Sequence, residues 1–146
     1  MVRDMEDGYV VAGRSWKEGD KVELILDMPA TLIESNPLVE ETRNQVTVKR
    51  GPVVYCIESP DLPQVNIFDV VIPSSIVFQP VPMKIDNGNV MALTGQARLL
   101  DQNKWRNTLY REVNPNLKTV NIKLIPYYAW ANRGKTDMTV WMPLMR

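Results

Sequence analysis

The sequence contains no histidine and a single cysteine, Cys56. Lack of histidine removes the commonest general base and the commonest metal ligand. One cysteine makes neither an internal disulfide nor a thiolate metal cluster. There is no Gly-rich phosphate loop, no metal-ligand spacing and no Ser/His/Asp set. The longest apolar runs fall far short of the roughly 20 residues that cross a bilayer. The start, MVRDMEDGYV, is acidic and polar and is no signal peptide. The compartment stays open between cytoplasm and periplasm. Net charge is zero over 146 residues, so no global field draws in nucleic acid or an anionic membrane. Neither is expected as a partner. No catalytic residue, no metal site and no cofactor is expected.

What is present is an ordinary soluble composition, 45% hydrophobic and 23% charged. That length supports one domain with a real core, or two very small ones. Residues 1–60 carry seven Lys/Arg against eleven Asp/Glu, and residues 61–146 carry ten against six. The two parts therefore attract each other weakly. Eleven prolines and seven glycines punctuate short runs rich in Val, Ile, Thr and Tyr. No stretch keeps a helical period. That pattern predicts an all-β fold, an antiparallel β-sandwich.

GYVVAGRSW (8–16) and KVELILDMP (21–29) read as a hairpin about the turn KEGD (17–20). Val22, Leu24, Leu26 and Met28 share its buried face, with Glu23, Ile25 and Asp27 on the mostly wet one. QVTVKRGPVVYCIE (45–58) reads as central strands broken at Arg50-Gly51-Pro52, apolar on both sides. SPDLPQVN (59–66) reads as a linker. DNG (86–88) marks a hairpin turn, residues 101–118 a long loop, and TVNIKLIP (119–126) and MTVWMPL (138–144) the closing strands.

Glu58 ends an apolar strand and reads as half of a structural salt bridge with Arg50 or Arg133. Cys56 reads as a buried structural thiol, since a reactive one needs access and a nearby cation. Lys104, Arg106 and Arg111, loosely interleaved with Trp105 and Tyr110, read as a charged loop over the core rather than a single-strand binding surface. IPYYAWANRG (125–134) holds two readings. If extended, Tyr128, Trp130 and Asn132 share a face, with rings two apart about 7 Å from each other. That spacing fits a sugar platform. It fits equally a packing surface at the core or a domain seam.

The blocks GYVVAGRSWKEGDKVELILDMP, NQVTVKRGPVVYCIE and LIPYYAWANRG…MTVWMP resemble the C-terminal region of bacterial glycoside hydrolase family 127, the β-L-arabinofuranosidase-like enzymes. The resemblance covers residues 8–58 and 119–143. It implies a helical (α/α)6 barrel carrying the active site as the partner of this chain. The nucleophilic cysteine and the zinc ligands of such enzymes belong to that barrel and have no matching position here. It also implies one sandwich inserted in another, with residues 1–58 and 136–146 forming the first and 59–135 the second. The alternative is a single sandwich over 1–146. By that pattern the first sandwich lacks its opening strands, so the chain reads as a truncated or excised piece of a longer enzyme. The expected role is a non-catalytic accessory region. Arg50, Gly51, Tyr55, Cys56, Tyr127 and Arg133 are then structural. The competing role is a carbohydrate-binding module using Tyr128, Trp130 and Asn132 on a plant-wall oligosaccharide. Self-association into a homo-oligomer is the remaining partner class.

Overall fold

The structure is a computed structural model that describes residues 4–6, 8–11, 13–101, 105, 107–113 and 116–146. It is all-β. A short hairpin, β1 (Asp4–Glu6) with β2 (Tyr9–Val11), stands apart from a sheet of nine strands. The nine are β3 (Ala30–Glu34), β4 (Gln45–Arg50), β5 (Val53–Glu58), β6 (Val70–Pro73), β7 (Gln79–Ile85), β8 (Gly88–Leu99), β9 (Lys118–Pro126), β10 (Met138–Thr139) and β11 (Met142–Met145).

Six of them close on themselves. β4 pairs β5, then β5–β9, β9–β8, β8–β6, β6–β11 and β11–β4 complete a ring. All these ladders are antiparallel except β11 with β6. The architecture is thus a mixed sheet curled into a small barrel, and the purely antiparallel sandwich is the wrong description. The reason lies in the last strand. Residues 138–145 insert where β4 and β5 splay apart, pairing first with β5, then with β4, then running parallel to β6.

Local sequence explains the best-formed parts. At the β4–β5 turn, Arg50 pairs with Val53, leaving Gly51 and Pro52 as a two-residue loop. Such a loop needs positive φ at its first central residue, which Gly51 supplies at +55°. Met28 packs against the bare Cα of Gly51, where a Cβ would meet its side chain. The DNG turn joins β7 to β8, with Asp86 at φ +50°. β7 carries Pro80 and Pro82 and pairs only with β8, as strand prolines require an edge. The core inside the ring is Val46, Val48, Tyr55, Ile57, Ile67, Val70, Ile72, Leu93, Ala97, Ile122, Leu124 and Met142. A second cluster on the outer face gathers Cys56, Ile85, Ile125 and Ala129. β5 therefore feeds both clusters, as its two apolar faces foretell.

Two expectations fail. Residues 59–66 are not a linker. They form a 3-10 turn (Ser59–Asp61) and a packed corner with Leu62 buried and Val65 against the core. The hairpin of 8–16 with 21–29 does not form either. β2 pairs with β1, and residues 21–29 make no ladder. The turn between them exists, with Asp20 N–H donating to the Lys17 carbonyl at 3.1 Å and Gly19 at φ +87°. Alternation sets which side chains share a face, but it cannot supply a neighbouring sheet to cover them.

Candidate functional site

The aromatic segment is not extended. Pro126 ends β9, and Tyr127–Ala129 turn as a 3-10 helix, with Trp130 N–H donating to the Tyr127 carbonyl at 3.1 Å. Residues three apart eclipse in such a turn. Accordingly the rings that meet are Tyr127 and Trp130, centroids 6.2 Å apart and planes within 8°. Tyr128 does not join this stack and is 68% exposed. Trp130 is 40% exposed, so it is not buried in the core. Ala129, between them, is buried against the outer cluster. Ala131 sits at φ +65°, a left-handed conformation that costs a non-glycine residue about 1–2 kcal/mol.

What holds this loop is a fully buried carboxylate. Glu58 Oε1 accepts the Ala131 N–H at 3.1 Å and the Thr136 hydroxyl at 3.0 Å. Glu58 Oε2 accepts Arg133 Nε at 3.0 Å and also Arg133 Nη2. The same Nη2 donates to Asp61 Oδ2 at 2.7 Å, and Lys123 Nζ stands 3.5 Å from Asp61. Two carboxylates thus face two cations, and both Glu58 oxygens are satisfied. The Asp61 hydrogen bond, first, and Glu58 hold the Arg133 guanidinium above its ordinary pKa, against the cost of burial. The chain reaches this point because Glu58 pairs with Met138 in the β5–β10 ladder and Ser59 N–H donates to the Asp137 carbonyl at 3.0 Å. Asn132 donates to the Ala129 carbonyl at 3.2 Å and closes the turn.

Of the two partners foreseen for Glu58, Arg133 is the one it meets. Arg50 lies at the other end of the hairpin, beside Tyr55. Tyr55 is buried and donates its hydroxyl to the Met91 carbonyl at 2.9 Å. Burial raises its pKa, with Arg50 pulling the other way. The parts that Asp61 and Thr136 play were not foreseen. The signal was available for Asp61: Glu58 ends an apolar strand and Asp61 follows three positions on, so a buried pair of acids needs cations.

Cys56 points to the outer cluster beside this network. Burial, then the Glu58 charge, push its thiol up to about 12. A neutral buried thiol is neither a nucleophile nor a metal ligand. Its pKa stands at 9.0 unperturbed. Because the folded value is the higher, the associated stability is complete below pH 9 and is lost as pH climbs toward 12. The expected slope is up to about 1.4 kcal/mol per pH unit. Urea unfolding at pH 8, 9.5 and 10.5 should show it, and Cys56→Ala should flatten the slope while Tyr55 keeps its own alkaline contribution.

The remaining candidates stay apart from this site. Glu18 lies in the 17–20 turn, Asp20 pairs with Arg14 at 3.0 Å, and Glu23 and Asp27 are exposed. Arg111 lies over the Trp105 ring at 4.1 Å, and Tyr110 is exposed. Lys104 and Arg106 lie outside the described residues. Among the described residues, no three His, Cys, Asp or Glu side chains converge on a metal position.

The half-exposed ring sets a modest energetic scale. Trp130→Ala should lower stability by roughly 1–2 kcal/mol, from the lost stack and the covered part of the ring. Thermal melting checks this. A loss as large as that of a core tryptophan would mean that the ring is covered.

With this geometry in hand, the relatives are informative. The profile of the glycoside hydrolase family 127 C-terminal domain matches residues 30–143. The non-reducing end β-L-arabinofuranosidase of Bifidobacterium longum subsp. longum is 30% identical over 149 aligned residues, covering 96% of this chain and 22% of that protein. A solved glycoside hydrolase is 48% identical, with TM-score 0.85 over all of this chain and 24% of its own. A GH127 β-L-arabinofuranosidase from Geobacillus stearothermophilus T6 is 33% identical, with TM-score 0.71 over 81% of this chain and 18% of its own. A further GH127 β-arabinofuranosidase is 35% identical, with TM-score 0.79 over 99% of this chain and 22% of its own. The chain spans about a quarter or less of the length of these relatives. It belongs to glycoside hydrolase family 127, whose C-terminal domain it carries.

Proposed function

We propose that this chain is a non-catalytic accessory domain that gives structural support to the helical-barrel catalytic domain of an arabinofuranosidase-like enzyme. The observation that carries the reading is the buried Glu58–Arg133–Asp61 cluster. The best-placed acids of the chain are consumed in holding one loop, and its one thiol is kept neutral. The match to less than a quarter of most relatives supports it further. The test is release of nitrophenol from an aryl β-L-arabinofuranoside, with and without added zinc. No turnover is expected. Turnover that disappears in Cys56→Ser would overturn the reading.

The inserted arrangement of residues 59–135 within 1–58 and 136–146 is likewise proposed. Its support is that Glu58, just before that stretch, pairs with Met138, just after it. Inserted and flanking strands nevertheless share one core.

One observation favours a second role. Tyr127, Tyr128 and Trp130 offer exposed rings in a single turn, as sugar-binding surfaces do. Titration with arabino-oligosaccharides decides. Binding lost in Trp130→Ala, with a cooperative melt that shows the variant is still folded, would install the loop as a carbohydrate site.

A further inference from the structure

The ladder along one edge of β8 has a gap. β7 covers that edge from Gly88 to Thr94, and β6 takes it up again at Arg98 and Leu99. Across this edge Leu100 N–H donates to the Asp69 carbonyl at 2.9 Å. Backbone groups of an antiparallel strand alternate sides, so Arg98, Gln96 and Thr94 turn their N–H and C=O the same way. Thr94 meets β7 and Arg98 meets β6. Gln96, between them, has no ladder partner on that side among the described residues. The gap opens into a cavity of about 720 Å³, within the range of roughly 300–1,000 Å³ typical of small-molecule sites.

One wall is the link from β6 to β7. Ser74 N–H donates to the Met145 carbonyl at 2.8 Å, and Ile76 N–H to the Pro73 carbonyl at 3.0 Å. Ile76 and Phe78 lie against the bare Cα of Gly95, where a Cβ would come within 3.1 Å of both. Their packing on the core fixes the wall and leaves Val77 in the lining, 70% exposed. The floor is the face of β8 and β9 on which Gln96 stands opposite Asn121, and Arg98 opposite Thr119. Directly opposed side chains lie about 5 Å apart at Cβ, so the two amides are neighbours. No carboxylate lines the cavity, and Arg98 is the one cation among its described lining residues. The Arg98 guanidinium donates from Nη1 to the Thr119 hydroxyl, which leaves most of its donors for an acceptor in the cavity.

We infer that this cavity binds one uronic-acid residue of a glycan, with the sugar carboxylate on Arg98 and the hydroxyls on Gln96 and Asn121. Side-chain amides suit hydroxyls because each offers both donors and an acceptor. The open backbone groups of Gln96 offer the same pair. Val77 supplies an apolar surface for the C–H face of the ring. A lone guanidinium with no acid beside it selects a carboxylate, which it grips with paired N–H bonds. An added β-strand is a poor occupant, because strand addition runs along an open edge and this edge is open at one residue. The inference goes beyond the accessory role. It is also separate from the aromatic turn, which lies at the other end of β9.

The test is an amide chemical-shift titration of this chain with methyl α-galacturonoside. A parallel titration uses methyl α-galactoside, which carries a hydroxymethyl group in place of the carboxylate. The uronoside should move the Gln96, Thr119 and Asn121 amides with a Kd on the order of 1 mM. The neutral sugar should bind at least about tenfold more weakly, for want of the charge-assisted bonds. Arg98→Ala should erase that preference, and Gln96→Ala should weaken both sugars alike. Melting of each variant reports that it is folded. If Arg98→Ala does not fold, Arg98→Lys replaces it: the charge stays, the fork is lost, and the uronoside should weaken at least about threefold. Unchanged affinity in the variant used overturns the inference. So does equal affinity of the parent for the two sugars. Acetate that moves the same amides with the same Kd makes this a simple anion site and overturns the sugar assignment. Shifts confined to residues 127–133 put the sugar on the aromatic turn and overturn it as well. No shift at about 50 mM uronoside, far above the expected Kd, does the same.

Discussion

Replacing Glu58 by alanine is expected to lower the unfolding free energy by about 3–5 kcal/mol, because it removes one side of a buried ion pair and strands the other. Glu58 is fully buried and serves four donors. Without it, the largely buried guanidinium of Arg133 keeps only Asp61. The Ala131 N–H loses its acceptor at a residue already in a left-handed conformation. Thr136 loses its acceptor as well. Each orphaned donor adds roughly 1–3 kcal/mol if water does not reach it. Arg133→Ala should cost a similar amount for the complementary reason. The double variant should cost clearly less than the two together, since both single changes leave a charge without its partner. Urea midpoints at constant slope measure all three. Additive losses would mean that the cluster is open to water and is not one coupled unit.

How much of this was legible depended on the range of the interaction. The strands β4, β5, β8 and β9 could be read because Val46 and Val48, or Ile122 and Leu124, recur at a period of two, and because Gly51 and the DNG turn fix where the chain reverses. These are properties of neighbours in sequence. The alternation of Val22, Leu24 and Leu26 was equally clear, but the buried face it implied is not found: all three are exposed and residues 21–29 make no ladder. Alternation alone does not say which strand will cover a face. The insertion of residues 138–145 between β4 and β5, and the parallel pairing of β11 with β6, hang on where one strand finds room. Nothing local in MTVWMPL encodes that.

The candidate site divides in the same way. A glutamate at the end of an apolar strand announces a need for a cation, and Arg133 was one of two named. Choosing between Arg133 and Arg50 required the β5–β10 register, a contact across 75 positions of sequence. The extended reading of the aromatics failed on Pro126. Its fixed φ and missing N–H end the ladder there, and the chain turns at once so that Ala131 can reach Glu58. Tyr127 thereby replaces Tyr128 as the stacking partner of Trp130.

Leu124→Ala tests whether the ring is one cooperative body. Leu124 is fully buried in β9 and lies opposite Ile57 on one side and Leu93 on the other. Those three bring β5, β9 and β8 together on the inner face, so the site joins residues 1–58 to residues 59–135. Deleting its isobutyl group leaves a void walled by three paired strands. Their ladders prevent collapse, which puts the cost at the upper end of the usual range, about 3–5 kcal/mol. That is a large share of the 5–15 kcal/mol that stabilises a typical domain. The form of the transition matters as much as its midpoint. Ile67, Val70, Ile72, Leu93 and Ile122 from the inserted stretch share one core with Val46, Val48, Tyr55 and Met142 from the flanking stretches. Far-ultraviolet circular dichroism, which reports all strands, and tryptophan fluorescence, which reports Trp16, Trp105, Trp130 and Trp141, should shift together to the same lower midpoint. Two separated transitions, with only one moved by Leu124→Ala, would mean that residues 59–135 fold independently of the strands that enclose them.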